Sequence, residues 1–160
     1  MEQELYQEAL QITDSAIQAV KPDAAVKRAL SEMPHSGRIF LVAAGKAAWQ
    51  MADAAVKTLG QMEDGVVVTK YGHVKAEIPG VRCYEAGHPV PDANSFAATE
   101  KALELVHGLH PEDTVLFLLS GGGSALFEKP LISGEELQEI TAQLLASGAD
   151  IVEMNTIRKR

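Results

Sequence analysis

Five residues, Ser120-Gly121-Gly122-Gly123-Ser124, carry the sharpest chemical signal in the chain. Three successive glycines let a backbone fold back until consecutive N–H groups face one oxygen-rich ligand, and the flanking serine hydroxyls add donors. The competing reading is a flexible surface turn. It fits less well, because the segment follows directly on the apolar run Thr114 to Leu119. Binding of phosphate or carboxylate is therefore the expectation. Gly45-Lys46 is the second candidate. A lysine where a strand gives way to a helix meets an already positive helix end, which makes sense where an anion shares the place; a solvated lysine fits the sequence as well. Neither segment is a Walker A loop: the glycine run lacks the Gly-Lys-Ser/Thr ending, and Phe40 stands where a loop ending in Lys46 needs its first glycine. A nicotinamide fingerprint is no better served, since Ala43 to Ala48 contains one glycine.

Weaker signals surround these two. Lys70-Tyr71-Gly72-His73 and Gly87-His88-Pro89-Val90-Pro91-Asp92 are polar, glycine-bearing segments. His88 can donate to a substrate oxygen or simply fill its turn. Asp92 suits a helix N-cap better than a metal ligand. His107 and His110 flank a helix end and read as structural, as do Trp49 and Met51 in a core or interface. His35 lies in a polar turn with no partner suggested. The run Arg158-Lys159-Arg160 either complements a helix C-terminus or reaches a ligand phosphate.

The elements that must hold these residues can be read from periodicity. Leu5, Ala9, Ile12, Ala16 and Val20 recur at helical spacing and predict an amphipathic helix over 3–20. Pro22-Asp23 opens a second helix to about Glu32. Apolar runs at 39–44, 65–69, 81–85 and 114–119 predict strands. Helices are expected from Lys46 to near Gly60, over 95–107 behind an Asp92 or Asn94 cap, over 134–146 behind a Ser133–Glu136 capping box, and from near Asp150. Alternation of strand and helix implies a parallel sheet buried on both faces. The stretch from Lys70 to Gly80 is too short for a helical crossover and predicts an irregular connection or an antiparallel edge strand. The fold class expected is α/β: a mainly parallel sheet flanked by helices, a Rossmann-like three-layer unit, with residues 1–160 forming one domain. In such sheets ligands sit beyond the C-terminal ends of the strands. All four polar loops named above follow strands, so together they outline one anion basin.

Composition agrees and narrows the partners. The 160 residues are 46% hydrophobic and 22% charged, which is ordinary for a globular domain. The longest apolar stretch is far below the roughly 20 residues that cross a bilayer, so no membrane association is expected. A net charge of −8 and a pI near 5.1 argue against a nucleic-acid partner. Cys83 is alone, which fits a reducing compartment and a cytoplasmic location.

Taken in order, Val42-Ala43-Ala44-Gly45-Lys46-Ala47-Ala48, Lys70-Tyr71-Gly72-His73, Glu85 to Asp92, Leu119 to Leu126 and Glu153-Met154-Asn155-Thr156-Ile157-Arg158-Lys159 resemble the N-terminal domain of the MOFRL-type glycerate 2-kinases, some of which are named hydroxypyruvate reductases. The resemblance covers nearly the whole chain. It implies ATP- and Mg2+-dependent phosphorylation of D-glycerate to 2-phosphoglycerate, in a cleft between two α/β domains. By motif it places the catalytic lysine on Lys46 and ligand contacts on Gly45, Ser120, Gly121, Gly122, Gly123 and Ser124, with weaker roles for His88, Asn155 and Arg158; metal ligands and a general base are not assigned. The family pattern continues beyond this sequence, so the expectation is a portion truncated before a second domain, inactive alone and prone to homo-oligomerise through the face that domain would cover. The alternatives are a non-catalytic anion- or nucleotide-binding interaction module and a hydroxypyruvate reductase.

Overall fold

The computed structural model describes residues 2–34, 36–60 and 62–159; His35 and Arg160 lie outside the described residues. Four strands form one all-parallel sheet in the order β3-β2-β1-β4. At its centre is β1 (Ile39–Ala44), buried at every position because it has a neighbour on each edge and helices on each face. It pairs with β2 (Asp64–Lys70) through Val42↔Val66 and with β4 (Thr114–Leu119) through Val42↔Phe117. The other edge is β3 (Arg82–Ala86), in register with β2 at Val68↔Tyr84.

Side chains alternate across the sheet, so the two faces of β1 build two cores. On one face Leu41 and Ala43, with Val67 and Leu118, meet α2 (Pro22–Ser31) and α3 (Ala48–Leu59). The helix residues facing them include Ala48, Ala52 and Ala55, all fully buried, and these small side chains let α3 lie close to the sheet. On the other face Val42, Val66 and Val68 pack against Ala98 and Ala102 of α4 (Ala93–Leu105) and Leu126 of α5 (Gly123–Leu126). Two further helices follow, α6 (Gly134–Ala146) and α7 (Ile151–Arg158). The Ser133–Glu136 capping box expected at the start of α6 is present, and Asp150 and Glu153 form another at α7. Between β2 and β3 the chain runs irregularly, with one isolated antiparallel bridge at Ile78↔Val81, and β3 itself is parallel.

Two expectations change. The sheet is covered on both faces at β1 and β2 but not at β4, where Val115, Phe117 and Leu119 are 42%, 48% and 60% exposed. The reason is the placement of α4, which lies over β2 and β3 and does not extend across β4. Phe127 approaches that face, 5.7 Å from Phe117 between centroids. The second change concerns α1 (Glu2–Val20): it is helical over the expected range, yet its apolar stripe is exposed at Leu5, Ile12 and Val20. Periodicity reports a face that suits burial; it does not say what covers it.

The start of β4 is tied to the start of β1 by charge. Arg38 Nε and Nη2 donate to Asp113 at 2.9 and 2.7 Å, and the Thr114 N–H donates to the Arg38 carbonyl at 2.8 Å. The Arg38 hydrogen bonds, with the His110 N–H, bring the Asp113 carboxyl down to about 2 from 3.8. A depressed carboxyl contributes stability that is full above its unfolded pKa and is lost as pH falls through the folded one. In Arg38→Met the Asp113 carboxyl should titrate higher by NMR yet stay below 3.8, since the His110 N–H still donates to it, and the pH-dependent stability that follows Asp113 should shrink.

Candidate functional site

In the order β3-β2-β1-β4 the chain direction of growth reverses between β1 and β4, and a crevice opens beyond their C-terminal ends. Gly45-Lys46 leaves one strand there and Ser120–Ser124 leaves the other. The two loops are bonded to each other. The Lys46 N–H donates to the Gly121 carbonyl at 2.9 Å, the Ala47 N–H to Ser120 Oγ at 3.0 Å, and the Ser120 N–H to the Ala44 carbonyl at 2.9 Å. Gly45 has φ +116°, and a Cβ there would stand 2.5 Å from the Ser120 carbonyl oxygen. Its glycine is thus required by the approach of the two loops. The Ser120 hydroxyl is also committed inward, accepting from Ala47 and donating to the Ala44 carbonyl at 3.4 Å. That leaves Ser124, exposed at the loop end, as the serine facing solvent.

The glycine run is different. The N–H groups of Gly121, Gly122, Gly123 and Ser124 donate to no acceptor among the described residues. Four successive unpaired donors beside a lysine form a surface suited to an anion's oxygens. Gly122 is left-handed at φ +89°, and a Cβ on it would lie 2.8 Å from His88 Nε2 and 3.2 Å from Lys46 Cε. The absence of that carbon lets the edge of the imidazole and the lysine stem converge on one backbone point. Gly121 has no such demand on it: a Cβ there meets nothing within 4 Å.

Lys46 is exposed, and its ammonium pairs with no carboxylate among the described residues. Its backbone is held from a third direction. His73 Nδ1 lies 2.8 Å from the Lys46 carbonyl and Thr69 Oγ1 donates to the same oxygen at 3.4 Å. A carbonyl only accepts, so the Nδ1 of His73 carries the proton there. The His73 turn is itself fixed by Glu85, whose carboxylate accepts the Val74 N–H at 2.8 Å. That bond lowers the Glu85 pKa, against the opposing effect of burial, with the Gly72 and His73 N–H groups adding to it. Thr69, His73 and Glu85 were not singled out as site residues from sequence. The Lys70–His73 motif did mark the loop, but only the fold puts its histidine under Lys46. A cavity of about 360 Å3 beside this point is lined by Lys46, Gln50, His73 and Lys75 among others.

Burial pushes the His88 imidazole below its usual 6.5, and the positive charges of Lys46 and Lys70 push the same way. The remaining residues named from sequence lie farther along. Arg158, only 9% exposed, donates from Nη2 to Glu128 at 2.6 Å and to the Ser124 carbonyl at 2.8 Å, so it ties α7 to the end of the glycine loop. Its Nε is buried with no partner among the described residues. Asn155 is half-buried on α7, with no side-chain hydrogen bond among the described residues. Also among the described residues, no group of three or more His, Cys, Asp or Glu is placed to hold a metal ion.

The chain as a whole has known counterparts. The family described as "Domain of unknown function (DUF4147)" matches residues 8–160. A D-glycerate 2-kinase of Thermotoga maritima is 55% identical over 154 residues, which is 94% of this chain and 37% of that protein. A glycerate 2-kinase of Pyrococcus horikoshii is 42% identical over 163 residues, again 94% of this chain and 37% of its own length. The chain belongs to this family. A crystal structure of glycerate kinase from Thermotoga maritima superposes with a TM-score of 0.86 at 54% identity, covering 98% of this chain and 38% of that one. The chain therefore spans little more than a third of the glycerate kinases it matches, and it carries their DUF4147 domain.

Gly122→Ala should cost about 1–2 kcal/mol of stability, because a left-handed backbone opposes a Cβ and His88 must move aside; Gly121→Ala should stay within about 0.5 kcal/mol. Denaturant unfolding of both variants checks the contrast. For His88, a folded-state pKa below 6.5 means the unfolded chain binds more protons as pH falls, so its contribution is present above 6.5 and lost below it. Replacing Lys46 by Met should raise the His88 pKa measured by NMR while leaving it under 6.5, since burial remains.

Proposed function

We propose that this chain supplies the lysine and anion-binding half of a glycerate 2-kinase site, which in the complete protein transfers the terminal phosphoryl group of ATP to D-glycerate and yields 2-phosphoglycerate. The observation that carries this reading is the meeting of Lys46 with the four unpaired amides of the Gly121–Ser124 run at one crevice. Phosphoryl transfer asks a protein mainly for positioning and charge compensation. In the step itself the glycerate hydroxyl oxygen forms a bond to phosphorus and gives up its proton to solvent while the bridging P–O bond to ADP breaks, and negative charge accumulates on the leaving side. The Lys46 ammonium compensates charge on the moving group, and the loop amides hold an anionic oxygen cluster in place. Neither needs proton chemistry from the chain.

ATP and Mg2+ enter this reading together. Magnesium in phosphoryl-transfer sites is usually held by one or two carboxylates together with nucleotide phosphates and water. The chain's own part is then to receive the phosphates. The second domain of the family is read as the source of the remaining groups, so the isolated chain is expected to bind without turning over. The uncovered face of β4, with Val115, Phe117 and Leu119, supports self-association of the isolated chain. Cytoplasmic residence belongs to the same proposal; no helix of the described residues is long and apolar enough to cross a membrane.

Calorimetric titration of the chain with inorganic phosphate and with MgATP should show binding that Lys46→Met weakens about tenfold or more, the size expected for a charge-assisted contact. Gly121→Ala should weaken it too, although it leaves stability intact, because its methyl group would occupy ligand space. A protein extended to the full length of its relatives should produce ADP from ATP and D-glycerate and lose that with Lys46→Met. Equal turnover in the variant would remove Lys46 from the mechanism. Anion binding without any turnover in the extended protein would favour a binding module.

A further inference from the structure

Asp92 caps α4, but a cap uses one carboxylate oxygen and Asp92 uses both. Its Oδ1 accepts the Ser95 N–H at 3.0 Å and Ser95 Oγ accepts the Asp92 N–H at 3.1 Å, which completes the capping box, while the Ser95 hydroxyl also donates to Oδ1 at 3.2 Å. Its Oδ2 accepts the Tyr71 hydroxyl at 2.7 Å. Tyr71 follows β2 and Asp92 follows β3, so this bond joins the loops leaving two neighbouring strands. Asn94 Nδ2 donates to Tyr71 Oη at 2.9 Å and to the Glu85 carbonyl at 3.3 Å, which orients the phenol toward Asp92. The Gly87 backbone lies against the Asp92 carboxylate, where a Cβ would stand 3.1 Å from Oδ2, and its N–H helps hold the carboxyl pKa down. Residues 87–92 are thereby closed at both ends, and the segment they enclose begins with His88. Burial alone would raise the Asp92 pKa; the bonds from Tyr71, Gly87 and Ser95 outweigh it and hold the carboxylate ionised below its usual range.

Tyr71 is half exposed, so core packing does not explain its position. Its hydroxyl is the part that is engaged. We propose that Tyr71 and Asp92 act together as positioning residues, a latch across two loops that sets the His88 ring against Lys46 and Gly122. The proposal rests on the reading of that crevice as the ligand end. It adds a requirement that neither the lysine nor the glycine run states: the third wall of the crevice is held from outside by a phenol–carboxylate bond. Without the latch the turn keeps its sequence and its helix cap but not its fixed distance from the glycine loop.

Two variants separate a latch from a cap. Tyr71→Phe removes only the hydroxyl and changes no charge. Asp92→Ser retains a good N-cap and removes the oxygen that receives Tyr71. The readout is the His88 ring pKa by NMR in the intact chain, where Lys46 and Lys70 are the charged groups acting on the ring. Tyr71→Phe is expected to move it upward, as the ring leaves its buried place beside Lys46. Asp92→Ser is expected to move it upward as well, although loss of a nearby negative charge by itself would lower it. The double variant should match the larger single shift instead of their sum. An unchanged His88 titration in Tyr71→Phe, or a downward shift in Asp92→Ser, overturns the latch. Failure of phosphate to bind the wild-type chain would overturn the kinase reading and leave the His88 shifts to decide the latch separately.

Discussion

Everything at the crevice depends on how closely the turn after β1 approaches the turn after β4. Three hydrogen bonds, from Ser120, Lys46 and Ala47 N–H groups, stitch them together, and Gly45 makes the approach sterically possible. The same bonds consume the amides of Lys46 and Ala47, and the Ala48 N–H donates to the Gly45 carbonyl at 3.1 Å, so these three are committed within the protein. One loop has become scaffold and cation; the other has become the donor surface.

Unpaired backbone donors are costly when buried and tolerable when solvated. Gly121 and Ser124 are exposed, so water can serve their two amides until a ligand replaces it, whereas Gly123 is buried. That no acidic residue pairs with the Lys46 ammonium among the described residues has a similar consequence in a chain of net charge −8. An internal carboxylate would stabilise the lysine and compete with an anionic ligand for it. Instead the acids near the site are engaged elsewhere: Glu85 with the turn of His73, and Asp92 with Tyr71 and the α4 cap. They shape the rim without neutralising it.

The apolar surface left on β4 and α1 follows from the same economy of elements. α4 covers β2 and β3, α2 and α3 cover the opposite face, and the outward side of β4 has Phe127 as its nearest aromatic cover. A free edge and an apolar face on one strand favour further pairing or packing. Relatives nearly three times as long share this domain, which gives that surface a natural context in the glycerate kinase family.

Much of this was legible in the chain itself. Strand runs at 39–44 and 114–119, the caps at Asp92 and Ser133, and the glycine run are local signals, governed by side-chain period and backbone freedom over a few residues, and local rules are enough to read them. The motifs likewise identified the family, because spacing within each segment survives without knowledge of its neighbours. What depends on distant residues meeting was not legible. Sequence could not say that Gly45 is needed for Ser120, that Gly122 is needed for His88, that the Ser120 hydroxyl turns inward, or that His73 supports Lys46 from below. Nor could periodicity show that the apolar faces of α1 and β4 lack cover, since burial is a property of two surfaces and a sequence pattern describes only one. The residue types set what chemistry is available; the sheet order, by reversing between β1 and β4, decided which of them share a crevice.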